Sequence, residues 1–276
     1  MIPGPFEFVR AASVEEAVAA LVAHGDDAKV IAGGHSLLPL MKLRLAMPAV
    51  LVDIGRIPGL SYVRVEGDEV AIGAGIRHHE LERDEVAGAE VPILPHAAGQ
   101  VGDPQVRHRG TLGGTVAHSD PASDLPTALL ALGGSVVVQG PDGRRSIPLT
   151  EFWLGFFETA LQPEELVVEL RVPRTGPAGW AYEKFTRRAN DWPIVAVAAV
   201  DGRVALANMA GTVVRATATE EALARGASIA EAAALAADGT SPSADMHADQ
   251  EYRRHLARLL TRRALEKAAG VGVTAA

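Results

Sequence analysis

The residues best suited to chemistry in this chain lie in two runs, Ala32-Gly33-Gly34-His35-Ser36 and Thr111-Leu112-Gly113-Gly114-Thr115, where paired glycines sit among hydroxyl and imidazole side chains. Adjacent glycines carry no Cβ, so successive backbone N–H groups can turn toward one point. Such a concavity suits a phosphate. Two of them in one chain suit a pyrophosphate, and hence a dinucleotide. Neither run carries the lysine of a P-loop. The second continues as Val116-Ala117-His118-Ser119-Asp120-Pro121-Ala122-Ser123-Asp124, dense in small residues, hydroxyls and carboxylates and without apolar periodicity. It reads as a place where backbone comes close to a ligand. Asp124 could accept hydrogen bonds from ribose hydroxyls, or cap the following helix.

Other constellations are weaker. Gly73-Ala74-Gly75-Ile76-Arg77-His78 lacks the third glycine of a Rossmann fingerprint. His78, His79 and Glu82 can be drawn as metal ligands, but spacing puts His78 and Glu82 on one helix face, which reads as solvated. His35 could touch a ligand, attach covalently to a flavin or hydrogen-bond locally; local bonding outweighs covalent attachment. Arg107-His108-Arg109 is a basic patch that could meet a phosphate or an acidic partner, and otherwise reads as a solvated loop. In Tyr182-Glu183-Lys184-Phe185-Thr186-Arg187-Arg188, alternation places Tyr182, Lys184 and Thr186 on one strand face. Lys184 could lean on a cofactor ring or a phosphate, or be a surface lysine. Trp192, before Pro193, could pack as core or lie over a cofactor ring. No nucleophile elbow is present.

The elements that must hold these residues are readable in outline. Ser13-Val14-Glu15-Glu16 is a capping box opening a helix to His24, stopped by Gly25. A buried strand over 28–32 runs into the first glycine run, and 49–54 is a second strand; together they form a small α/β unit ending near Pro58. Strands at 62–65 and 69–72 flank Gly67-Asp68 as a hairpin. Helices are expected over 78–83, 93–101 and 124–132, a second hairpin at 135–139 and 144–147, and a strand at 166–172. Residues 173–179 read as a linker. Beyond it, 180–187, 194–200 and 203–212 read as strands, or as strand mixed with short helix, the last two joined by the tight turn Asp201-Gly202. Ser228 opens a capping box, the Ala-rich stretch 220–238 is helical, and 250–269 is a terminal helix. The division is an α+β region, 1–175, with subdomains of about 1–57 and 58–175, and a smaller domain, 176–276.

With 276 residues the chain can bury a substantial core. Hydrophobic residues make up 48%, but Gly and Pro interrupt every apolar run before membrane-spanning length. The start has no basic region followed by an apolar segment, so no secretory signal is expected. The chain has no cysteines, which excludes disulfides, thiolate metal sites and an iron–sulfur cluster of its own and fits a cytoplasmic protein. A net charge of −8 argues against a nucleic-acid surface, and 4% aromatic content gives no stacking stripe.

AGGHS (32–36), TLGGTVAHSDPASDLP (111–126), YEKFTRR (182–188) and DWP (191–193) together carry a family. Over essentially its whole length the chain resembles the FAD-binding medium subunits of molybdenum hydroxylases, the aerobic carbon monoxide dehydrogenase branch above all. The resemblance implies a two-subdomain FAD-binding domain of the vanillyl-alcohol-oxidase (PCMH) type and a C-terminal domain of antiparallel sheet and helices. It makes Lys29, Val30, Ile31, Ala32, Gly33, Gly34, His35, Ser36 and Leu37, with Thr111, Gly113, Gly114 and Thr115, contacts of a non-covalent FAD near its pyrophosphate. Asp124 is carried over toward the ribose, and Val101, Leu166 or Val167, and Lys184 toward the flavin or adenine ends; His118 and Trp192 join the cofactor-binding set. His118-Ser119 stands where other members often have different polar residues. The implied function is electron transfer from a large molybdopterin subunit through a small subunit with [2Fe–2S] clusters to FAD and an external acceptor, in a dimer of heterotrimers. With no cysteines, the branch bearing an added cluster is set aside. The alternatives are a stand-alone FAD-dependent oxidase, the medium subunit of a xanthine, aldehyde or N-heterocycle dehydrogenase, or a non-enzymatic nucleotide-binding scaffold. The flavin performs the redox chemistry itself, so no acid–base pair is required of the chain.

Overall fold

The computed structural model describes residues 2–270; Met1 and the last six positions of the C-terminal domain expected from the sequence lie outside the described residues. The first unit contains β1 (Glu7–Arg10), α1 (Val14–His24), β2 (Ala28–Ile31), α2 (Leu37–Lys42) and β3 (Val50–Asp53). Its strands are parallel in the order β1-β3-β2. Ser13 caps α1 by accepting from the Glu16 N–H, and Ala17, Val18 and Leu21 bury one face of the helix. That stripe is the period a helix needs when only one side meets a sheet. β1 and α2 were not expected from the sequence.

The second unit runs through β4 (Val63–Glu66), β5 (Glu69–Gly73), α3 (His78–Leu81), α4 (Glu85–Glu90), α5 (Ile93–Gly99), α6 (Pro104–Arg107), α7 (Leu112–His118) and α8 (Asp124–Leu132). It continues with β6 (Ser135–Gly140), β7 (Gly143–Pro148), α9 (Leu149–Phe152), β8 (Trp153–Gly155), β9 (Glu158–Thr159) and β10 (Leu166–Pro173). Five strands form an antiparallel sheet, β4-β5-β10-β6-β7, built from both expected hairpins. β10 is its central strand and is covered on both sides. Leu166 and Val168 join the core beneath α1, while Val167, Leu170 and Val172 join the core around α5 and α8. The irregular register between Val167 and Glu169 accompanies this division.

The third unit holds β11 (Trp180–Phe185), β12 (Val195–Val200), β13 (Arg203–Ala207), β14 (Val214–Arg215), α10 (Thr217–Ala224), α11 (Ile229–Ala234) and α12 (Gln250–Ala268). Its strands are antiparallel in sequence order. One face of β12 and β13 carries a core with α12, and the other joins the core of the second unit through Ala196, Ala198, Ala205 and Ala207. Alanines here let α8 lie close to the sheet, and every residue of α8 is buried. The third strand ends at Ala207 rather than 212, because Asn208 turns left-handed with φ 61°. The Ala-rich stretch is two helices, since Gly226, at φ 84°, stops the first and Ser228 caps the second. Among the described residues no helix is long and apolar enough to cross a membrane.

A candidate dinucleotide cradle

β2 ends at Ile31 and the chain turns through Gly34, at φ 78°, into α2. Among the described residues the N–H groups of Gly33, Gly34, His35, Ser36 and Leu37 have no acceptor within the chain. A row of unpaired amide donors in a left-handed turn is the geometry of an anion cradle. His35 and Ser36 are exposed, so the row faces outward.

The second run differs from the expected turn: it is the first turn of α7. Thr111 is the N-cap and its hydroxyl accepts from the Gly114 N–H at 3.1 Å. The Gly113 N–H donates to the Ala74 carbonyl at 2.8 Å and the Thr115 N–H to the Thr111 carbonyl at 3.0 Å. Leu112 and Val116 are buried on one side, a periodicity masked by the small residues between them. These amides are used up inside the protein and Thr111 is buried, so the second run offers a ligand the partly exposed Thr115 and an exposed Gly114, not a second row of free donors.

The glycines explain how the two runs meet. A Cβ on Gly33 would collide with the Arg109 carbonyl and stand 3.1 Å from the Gly110 Cα. A Cβ on Gly113 would stand 2.6 Å from the Ala74 Cβ. Both positions need glycine for the close approach of chain to chain. A third segment closes the seam: Arg77 pairs with Thr111, the His78 N–H reaches the Gly110 carbonyl at 3.1 Å, and the Leu112 N–H the Ile76 carbonyl at 3.0 Å. The 73–78 run, refused as a Rossmann motif, is thus the wall on which the second glycine run is hung. Nothing in its spacing announced that role.

His78 is 5% exposed and its ring packs on Gly110, where a Cβ would stand 2.5 Å from Nε2. Burial, reinforced by the charges of Arg77, His35 and Arg107, pushes its pKa down to about 4. The expectation of a solvated His78 face is therefore corrected: Gly110 leaves the room that the imidazole fills. Among the described residues no cluster could hold a metal. In the basic patch, Arg107 pairs with Glu82 at 3.0 Å and donates to the Gly99 and Val101 carbonyls, and His108 stacks on His79 at 4.1 Å.

The other expected residues are dispersed. Lys184 is not a surface lysine: its side chain is 7% exposed and Nζ donates to the Asp124 carboxylate and the Gln100 carbonyl, both at 2.9 Å. One ammonium proton is left for another acceptor. Asp124 is the first residue of α8, and Ser123, not Asp124, occupies the cap position. Its other carboxylate oxygen accepts from the Tyr182 hydroxyl at 2.6 Å. A ribose hydroxyl reaching Asp124 would share engaged oxygens rather than meet a free carboxylate. Burial pushes the Asp124 pKa up, against the opposing pull of Lys184 and Tyr182.

Leu166 and Val167 point into the two cores, so only their backbone could touch a ligand. Val101, at the end of the segment following α5, is partly buried beside Gln100, whose carbonyl holds Lys184. His118 stacks on Phe157 at 4.7 Å, with its pKa lowered by burial. Trp192 is 60% exposed and is not core. Lys29 lies on β2, exposed, and Val30, Ile31 and Ala32 are partly buried as the strand leads into the cradle.

The chain matches two family models, the FAD binding domain in molybdopterin dehydrogenase over residues 4–175 and the CO dehydrogenase flavoprotein C-terminal domain over 180–268. It is 42% identical to the carbon monoxide dehydrogenase medium chain of Hydrogenophaga pseudoflava, covering 97% of this chain and 98% of that one. It is 38% identical to subunit alpha of the 6-hydroxypseudooxynicotine dehydrogenase complex of Paenarthrobacter nicotinovorans, covering 97% and 96%. A solved carbon monoxide dehydrogenase structure from Hydrogenophaga pseudoflava, lacking the Mo-pyranopterin moiety, superposes with a TM-score of 0.94 at 43% identity, covering 99% of this chain and 100% of that one. An outward row of free amides at the seam of an FAD-binding domain, continuous with a flavoprotein C-terminal domain, fits a dinucleotide. The chain belongs to the FAD-binding medium subunits of the molybdenum hydroxylases.

Proposed function

We propose that this chain holds one FAD non-covalently, with the pyrophosphate on the free amides of Gly33 to Leu37, as the electron-transfer subunit of a molybdenum/[2Fe–2S]/FAD dehydrogenase. The unpaired amide row carries this reading, since nothing among the described residues satisfies it. A bound flavin supplies the redox chemistry; the residues of this chain bind it, orient it and set its surroundings. Thr111, Thr115 and the open Gly114 border the cradle from the second unit. Val101, Asp124 and Lys184 form a group further along, between the second and third units, that suits another portion of the dinucleotide. Trp192, exposed on the loop before β12, is free to lie over a ring.

The partners would be a small subunit carrying the [2Fe–2S] clusters and a large molybdopterin subunit, assembled as two heterotrimers in the cytoplasm and delivering electrons to an external acceptor. We divide the chain at about residue 175, with subdomains meeting near residue 57. Relatives named for carbon monoxide and for a nicotine-derived substrate are similar to almost the same degree, so the substrate follows the partner chains. Purifying the assembled complex and releasing its cofactor with mild acid tests the reading. About one FAD per copy of this chain is expected; complexes that release none, or retain the flavin on the denatured chain, refute it.

A further inference from the structure

Two arginines meet the amide row, Arg77 through its guanidinium and Arg109 through its backbone, and neither is paired with a carboxylate within 4 Å among the described residues. Arg77 is partly buried, and one of its Nη atoms donates to the Arg109 carbonyl. Its other Nη lies 3.5 Å from the point a Gly55 Cβ would occupy, with the Asp53 Oδ1 at 3.1 Å and the Ala32 carbonyl oxygen at 3.3 Å from that same point. This places the guanidinium at the floor of the turn that carries the free amides. Arg109, whose backbone lies against Gly33, is exposed.

Among the described residues, neither arginine forms an ion pair within 4 Å. The neighbouring acids are engaged elsewhere: Glu80 Oε2 accepts from the Arg77 backbone N–H and the Ser61 hydroxyl, and Asp53 accepts from the Gly55 N–H and faces Arg10. Burying a guanidinium without a counter-ion is unfavourable, and a second cation nearby adds to the cost. Burial and the Arg109 charge lower the Arg77 pKa, against the opposing pull of Glu80 and Asp53. The rest of the 107–109 patch is accounted for within the chain, since Glu82 holds Arg107 and His79 stacks on His108. In a chain of net charge −8, two cations whose neighbouring acids are held by other partners leave room at this place for an anion.

We propose that Arg77 and Arg109 are the countercharges of the bound diphosphate, one for each phosphate, and thereby select a dinucleotide flavin over a mononucleotide. This rests on the FAD reading above. The amides are neutral dipoles and orient the ligand; the guanidinium forks supply charge and paired donors matched to phosphate oxygens. Arg77 is already anchored through the Arg109 carbonyl, so little side-chain freedom is lost when the anion arrives.

Affinities of the assembled complex, after its flavin is removed, for FAD, ADP and FMN, measured by calorimetry with wild type, R109Q, R109K and R77Q of this chain, test the proposal. R109Q is expected to weaken FAD and ADP by about tenfold or more, the size of one lost charge-assisted bond. FMN should be weakened less, and R109K should recover part of the loss. R77Q should lose at least as much. Because Arg77 also holds a carbonyl, the ligand-free melting temperature is measured beside it and should stay near wild type; R109Q, altering an exposed side chain, decides the matter if R77Q does not fold. Unchanged FAD and ADP affinity in a folded variant overturns the role of that arginine, and an equal loss for FMN overturns the selection. A deflavinated wild-type complex that takes up neither FAD nor ADP overturns the FAD reading itself.

Discussion

Gly33 and Gly114 belong to similar motifs, yet the structure requires them for different reasons. Gly33 admits the backbone of Arg109 and Gly110, whereas a Cβ on Gly114 meets only the Thr111 hydroxyl, at 2.7 Å. Gly33→Ala must therefore separate the two glycine runs or distort the turn, while Gly114→Ala disturbs one capping bond worth about 1 kcal/mol. Gly33→Ala is expected to lose most of its FAD when the complex is purified, and Gly114→Ala to retain most of it, as read by the flavin-to-protein absorbance ratio. Equal retention in both would show that the close approach at Gly33 is not what holds the cradle. The glycine pairs were plain in the sequence. Which amides remain free was not, because it depends on acceptors such as the Ala74 carbonyl, contributed by residues far along the chain.

Helix α8 and strand β11 are joined by two buried polar contacts, both made by Asp124. Asp124, at the start of α8, meets Tyr182 and Lys184 of β11 with both side chains of the ion pair almost fully buried. Removing one partner strands the other charge in the interior, which costs about 3–5 kcal/mol. Lys184→Met should lower the midpoint of urea unfolding strongly, and adding Asp124→Asn should restore part of the loss, because the orphaned carboxylate is then neutral. Losses that simply add would mean the two groups are not coupled. Strand alternation correctly put Tyr182 and Lys184 on one face. Their partner was invisible to it, since helix caps and buried acids share the same residue types: Ser123 stands at the cap position without a side-chain capping bond, and Asp124, one residue on, makes the ion pair.

Stability of the whole molecule is tied to pH through His78. The unfolded chain takes up a proton at this ring near pH 6.5, but the folded chain holds it neutral down to about pH 4. Stability therefore falls as pH drops from about 6.5 to about 4 and levels off below, by up to roughly 3 kcal/mol from this residue alone. Replacing the imidazole by an uncharged ring in His78→Phe should flatten that limb in urea titrations at pH 7, 5.5 and 4.5. A variant that loses as much stability as wild type over this range would assign the acid limb to other groups.

Local order was set by the sequence alone: the Ser13 cap, whose Glu16 partner takes the Ala12 N–H instead of closing a full box, the Ser228 capping box, both hairpins and the antiparallel pairing of β12 with β13 depend on residues close in the chain. The α+β class, the absence of a cluster held by cysteines and the presence of two glycine runs follow from the same local information. Only the tertiary structure decided what those runs do. It used up the amides of the second in α7 and against Ala74, left those of the first free, and set Arg77 and Arg109 beside them. The reason is physical: a backbone donor is free or satisfied according to which distant carbonyl lies within about 3 Å of it, and no periodicity in a sequence records that distance.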